Sequence, residues 1–207
     1  MSSSGQEVEV KFLLANLSAF KLRLEALGGK LIQPRIFENN LRFDTPMGIL
    51  ARRQSALRLR QDTQARLTYK GPPLLSGEAR LRQEIEFQVS DFSAAQAFLE
   101  ALGYHVILIY EKYRTTYQLG DVLVTLDEMP YGEFVEIEGE DGETVAAAAS
   151  RLGLPWESRS LDSYTVLFAR VRQSLGLDFR DLSFANFSQI KVSPQVLGMN
   201  YADIGGK

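Results

Sequence analysis

The chain has 207 residues, 45% hydrophobic and 24% charged, the make-up of one folded globule, which excludes a disordered, collagen-like or repeat chain. Its 23 Lys and Arg against 26 Asp and Glu leave a net charge of −3, too balanced for nucleic-acid binding through bulk positive charge. With no cysteine and one histidine, His105, the chain can form no disulfide, thiolate site or His-rich zinc cluster, so any metal must be held by oxygen.

In chain order, residues 1–5 lack the basic and apolar regions of a signal peptide, and apolar runs such as 106–110 are far too short to cross a bilayer. A cytoplasmic protein is expected. From Glu7 to Glu138 the pattern has mostly period two, in segments separated by Gly, Pro, Asp and Asn, and predicts strands near 6–14, 31–44, 55–62, 64–71, 80–89, 107–118, 121–128 and 133–139. Helices are predicted at 17–27, ending at Gly28-Gly29, in a short stretch after Thr45-Pro46, and at 92–102, ending at Gly103. Two more follow the last strand, at 144–152 and 161–175. One domain over 1–175 is therefore expected, with 176–207 a tail that drapes over it or is partly ordered.

Side chains alternate across a strand, so Glu7, Glu9 and Lys11 share one face while Val8, Val10 and Phe12 share the other. The arrangement recurs in Arg58 and Arg60 around Leu59, Thr68 and Lys70 around Tyr69, Arg82, Glu84 and Glu86 around Gln83 and Ile85, Lys112 and Arg114 around Tyr113, and Glu136 and Glu138 around Ile137. With Asp127, that face carries seven acidic and seven basic groups. A sheet with one solvated face gives polar alternation by itself. Glu and Lys are depleted in strands, however, and like charges two residues apart lie only about 7 Å from one another, which calls for something of opposite charge between them.

Eight strands close a barrel wide enough for one small ligand. Val8, Val10, Ile85, Phe87, Val135 and Ile137 need cover, which outer helices supply, so the ionic face becomes the lumen and the fold class is α+β: a closed eight-stranded antiparallel barrel with helices outside. Lys and Arg suit a polyphosphate and clustered carboxylates suit Mg²⁺ or Mn²⁺. A triphosphate with two divalent ions leaves such a lumen near neutral, whereas a sugar or an apolar ligand has no need of it.

Glu7-Val-Glu-Val-Lys11 resembles the Glu-x-Glu-x-Lys opening of the CYTH, or triphosphate tunnel metalloenzyme, superfamily, which includes class IV adenylyl cyclases, thiamine triphosphatases and tripolyphosphatases. Alone the motif is weak. Its followers come in the family's order over roughly residues 6–168: Phe43-Asp44-Thr45-Pro46, Leu57-Arg58-Leu59-Arg60, Leu67-Thr-Tyr-Lys70-Gly71-Pro72, Arg82-x-Glu84-x-Glu86, Lys112-x-Arg114, Leu126-Asp127-Glu128 and Gly132-Glu-Phe-Val-Glu136-Ile-Glu138. The resemblance implies that Glu7, Glu9, Asp127, Glu136 and Glu138 hold a divalent ion, with Glu84 and Glu86 able to hold or place a second. It implies that Arg58, Arg60, Lys70, Arg82, Lys112 and Arg114 grip the phosphates. Lys11 is the candidate catalytic lysine, either as a proton acceptor with a pKa depressed by flanking cations or as a purely electrostatic group. Arg42 departs from the family, where many members carry an aromatic residue.

Other candidates have plain explanations. His105 and Trp156 suit structural roles, Tyr69 and Tyr113 fall on the outer face, and Ser163 and Tyr164 suit either a tunnel mouth or helix packing. Three functions are then weighed. The first is a divalent-metal-dependent triphosphatase, in which water attacks the terminal phosphorus of a nucleoside triphosphate, tripolyphosphate or thiamine triphosphate. It is preferred because water needs no pocket for base or sugar. The second is a class IV adenylyl cyclase, in which the ribose 3′-hydroxyl of ATP attacks the α-phosphorus, and the third is a sensor that binds without reaction. The partner expected is a small-molecule triphosphate, with neither nucleic acid nor membrane, and an exposed apolar helix face leaves room for a homodimer.

Overall fold

The computed structural model describes residues 8–76 and 79–204, and side chains for all of these except 73–82. Segments in which apolar and polar residues alternate form eight strands: β1 (Val8–Leu14), β2 (Lys30–Asp44), β3 (Ala56–Gln61), β4 (Ala65–Ser76), β5 (Ala79–Val89), β6 (His105–Leu119), β7 (Val122–Met129) and β8 (Gly132–Gly139). They make one antiparallel sheet in the order β1-β8-β7-β6-β2-β3-β4-β5. Helix α1 (Leu17–Ala26) is capped by the Asn16 side chain, and Gly28 follows it at φ 91°. Helix α3 (Phe92–Ala101) starts under the Asp91 side chain and is followed by Gly103 at φ 87°, a backbone that favours glycine. Between them lies α2 (Ile49–Arg52), and α4 (Gly142–Arg151), α5 (Tyr164–Leu175) and α6 (Pro194–Leu197) follow the sheet.

The expected closed barrel needs correction. The edges β1 and β5 approach within 8 Å between Cα atoms but do not pair. The free edge of β1 is already occupied: Lys11 and Ser160 exchange backbone hydrogen bonds of 3.0 and 2.7 Å, and Ala202 N donates to Leu13 O at 2.8 Å. A strand whose edge groups are satisfied by other segments has none left for β5 at those positions. The chain after the sheet therefore caps this edge of β1.

Two apolar layers lie on the outer wall. Val10, Phe12, Val124, Leu126, Val135 and Ile137 pack beneath Phe20 and Leu24 of α1 and Val145 and Ala149 of α4. Leu41, Phe43, Leu57 and Leu59 pack beneath Leu99 of α3. Val8, Val10, Val135 and Ile137 are covered as expected, but Ile85 and Phe87 are 46% and 53% exposed. Helix α3 packs over the β2 and β3 region, and its cluster reaches Val89 of β5 but leaves Ile85 and Phe87 uncovered.

The third cluster corrects the expectation that every helix packs outside. Leu13 and Phe134 have the parity of Lys11 and Glu136, so they face inward, and with Met129 and Tyr110 they receive Leu167, Phe168 and Val171 of α5. Residues beyond α5 join the same cluster through Leu182, Phe187 and Leu197, and Leu182 pairs with β6 through bonds to Ile109 and Glu111 of 2.9 Å each. The inner face is thus apolar at one end, where α5 seats, and ionic elsewhere. No helix among the described residues is long and apolar enough to cross a membrane.

Candidate active site

The ionic inner face lines a cavity of about 680 Å³. Seven cations among the described side chains, Lys11, Arg42, Arg58, Arg60, Lys70, Lys112 and Arg114, share it with the carboxylates of Glu9, Glu84, Glu86, Glu136 and Glu138. Glu38 and Asp127, buried just behind the lining, bring the acids to the same number. Of the residues singled out in the sequence, Glu7 and the Arg82 side chain lie outside what the structure describes.

Register brings one group together. Glu9 stands opposite Glu138, and Lys11 opposite Glu136. Glu9, Glu136 and Glu138 each offer a carboxylate oxygen within 4.8 Å of the others, a hard all-oxygen donor set that fits Mg²⁺ or Mn²⁺. Lys11 Nζ lies 2.8 Å from Glu9 and 3.1 Å from Glu136. Burial alone would push this ammonium down, but Glu136 and Glu9 outweigh it and hold the pKa above its ordinary value. Its immediate neighbours are anions where depression of the pKa required cations, so the geometry supports the electrostatic role of Lys11 over that of proton acceptor. Burial opposes the charge on Glu136 too, and Lys11, Arg114 and Lys112 overcome it, keeping that carboxyl well below the usual range.

Asp127 stands apart from the three glutamates. It is fully buried and accepts from Arg114 Nε at 2.6 Å, Arg114 Nη2 at 2.5 Å, Lys112 Nζ at 3.2 Å and Tyr164 Oη at 2.7 Å. Its oxygens are filled by cations and a phenol, so in this structure it orients two phosphate-binding candidates. Glu84 and Glu86 of β5 sit across the cavity: Glu84 lies 2.8 Å from Lys70, while Glu86 accepts from Thr68 at 2.7 Å and pairs with Arg58 and Arg60 at 3.4 and 3.3 Å. They hold cations in place and are separate from the Glu9, Glu136 and Glu138 group.

Glu38, Asn40 and Tyr110 escaped the sequence reading. Glu38, Asn40 and Arg42 alternate along β2, and a strict period-two count from Arg42 finds them. Glu38 lies 3.6 Å from Lys112 and 3.7 Å from Arg60; burial raises its pKa, but Lys112, Arg114, Arg60 and Arg58 bring it down to about 2. Tyr110 shares the parity of Lys112 and Arg114 and accepts from Arg58 at 3.4 Å. Its phenol is pushed up by burial, and Arg58 and Lys112 reverse that to a net lowering. Ser163 and Tyr164, for which the sequence left a tunnel mouth or helix packing open, both line the cavity at the start of α5. Of the remaining candidates, His105 is exposed, Trp156 packs on the outer core and stacks with Arg159 at 4.4 Å, and Tyr113 lies on the outer wall between Phe37 and Phe184.

Comparison with known proteins bears on this geometry. An adenylate cyclase, CyaB of Aeromonas hydrophila, is 31% identical over 185 residues, covering 83% of this chain and 92% of that protein. A candidate adenylate cyclase from Vibrio parahaemolyticus superposes with a TM-score of 0.72 at 24% identity, covering 81% of this chain and 99% of its own. HpAC1 from Hippeastrum, described as having a dominant triphosphatase activity, gives a TM-score of 0.52 at 22% identity over 94% of this chain and all of its own. These two likenesses are of fold. The CYTH domain matches residues 5–158, and the chain belongs to that family.

Proposed function

We propose that the chain is a divalent-metal-dependent triphosphatase that releases the terminal phosphate of a small triphosphate. The observation that carries this reading is the pairing, in one cavity, of the glutamate trio with cations spread along the facing strands. Arg58, Arg60 and Lys70 of β3 and β4 and Lys112 and Arg114 of β6 contact phosphate oxygens, exchanging their present carboxylate partners for the substrate's. Glu9, Glu136 and Glu138 would hold Mg²⁺ or Mn²⁺, which supplies Lewis-acid polarisation of phosphoryl oxygens when bound. Lys11, kept protonated by Glu136 and Glu9, stabilises negative charge that grows on the terminal phosphoryl oxygens during transfer.

Hydrolysis is preferred over cyclisation because the two aromatic residues among the described lining, Tyr110 and Tyr164, are each 7% exposed and already engaged with ions. Neither offers a face to a nucleobase. A class IV adenylyl cyclase is the second reading, supported by the likeness to the Aeromonas adenylate cyclase. Incubation of the purified chain with tripolyphosphate, thiamine triphosphate and ATP, each with Mg²⁺ or Mn²⁺, separates the two. Orthophosphate is the product expected. Cyclic AMP with pyrophosphate would establish the cyclase, and binding without product would leave a sensor.

A further inference from the structure

Tyr164 is the first residue of α5 and lies beyond the matched family span of 5–158. Its position is over-determined. Ser160 is bonded to the β1 edge, Ser163 caps α5 by accepting from Val166 N, Tyr131 Oη donates to Tyr164 O at 2.9 Å, and Phe134 meets the ring edge-on at a centroid distance of 5.3 Å. The ring centroid is 5.3 Å from Lys11 Nζ and 5.3 Å from Lys112 Nζ, both within the range at which an aromatic face attracts an ammonium. The hydroxyl donates to Asp127, whose carboxylate also holds Lys112 and Arg114. One side chain from outside the sheet therefore touches two cavity cations, Lys11 and Lys112, and the carboxylate that holds Lys112 and Arg114.

We propose that Tyr164 is a positioning residue for the phosphate grip: its ring holds the ammonium groups of Lys11 and Lys112 at the spacing a triphosphate requires, and its hydroxyl locks the Asp127 carboxylate behind them. The inference rests on the triphosphate reading above. The ring adds its attraction to that of the carboxylates already paired with the two ammonium groups, so their mutual repulsion is offset before substrate arrives. Packing against Phe134 and Leu13 alone would explain a buried ring, but it requires no tie to lysines or carboxylate.

The test uses the full chain and inorganic tripolyphosphate followed by calorimetry, with Tyr164→Phe and Tyr164→Leu beside the parent. The phenylalanine variant keeps the ring but loses the bond to Asp127 and should bind about threefold more weakly than the parent, while the leucine variant, which loses both, should bind about tenfold more weakly. Tight binding by the parent with equal binding by Tyr164→Leu would overturn the inference alone. No binding by the parent would overturn the triphosphate reading and the inference with it. Should Tyr164→Leu not fold, proton NMR of the parent decides: ε-methylene signals of Lys11 and Lys112 displaced by the aromatic ring support the assignment, and signals at ordinary lysine positions reject it.

Discussion

At the scale of single residues, the site is a set of ion pairs, the innermost of which, among Lys11, Lys112, Asp127 and Glu136, are held out of water, where an unpaired charge costs several kcal/mol. Lys11 and Glu136 form one such pair. Removing Lys11 takes a competing cation from the carboxylate trio, so Lys11→Ala should cut turnover by about a hundredfold or more while Mn²⁺ binds no more weakly than in the parent. Glu136→Ala removes a proposed metal donor and takes one of the carboxylate partners from each of Lys11 and Arg114, so it should weaken both Mn²⁺ binding and turnover; titration of Mn²⁺ alongside phosphate release checks the pair. Glu38 gives a pH signature. Its pKa lies at about 2 against an ordinary 4.5, so its ionised form stabilises the fold fully above pH 4.5. That stabilisation, roughly 3 kcal/mol, fades as pH falls from 4.5 towards 2. The difference in unfolding free energy between parent and Glu38→Gln should therefore shrink over that window, and a difference constant with pH would contradict the assignment.

At the scale of elements, the strands were legible because ionic and apolar residues alternate with period two, and the helix ends were legible at Gly28 and Gly103. What escaped was the use made of them. Alternation gives the face of Ile85 and Phe87, yet it does not say that the cluster under α3 leaves these two residues of β5 exposed. Nor does the helical period of α5 disclose that its apolar stripe seats on the inward residues Leu13 and Phe134, since inside and outside of a curved sheet look alike in sequence. The segment beyond α5 has no period because it packs through isolated anchors. Leu182 is fully buried and pairs with β6, so Leu182→Ala should cost about 2–5 kcal/mol. Phe87→Ser, exposed on the edge strand, should cost under about 1 kcal/mol, and denaturant unfolding of both variants measures the contrast.

At the scale of the whole molecule, family membership and the ionic cavity were within reach of the sequence because motifs far apart in the chain fall on neighbouring strands with a shared parity. The division of labour among the acids was not, since Asp127 and Glu136 differ only in which cations and phenol the fold brings beside them. Matched numbers of opposite charges keep the cavity stable when empty and, on the proposed reading, let it trade internal partners for a polyanion with its metal ions. The most direct test of that exchange is ³¹P NMR of tripolyphosphate titrated with the protein. Terminal and central phosphorus signals should both shift with parent protein and stay at their free positions with the Arg58→Ala, Arg60→Ala double variant; signals that do not move with the parent would contradict the account.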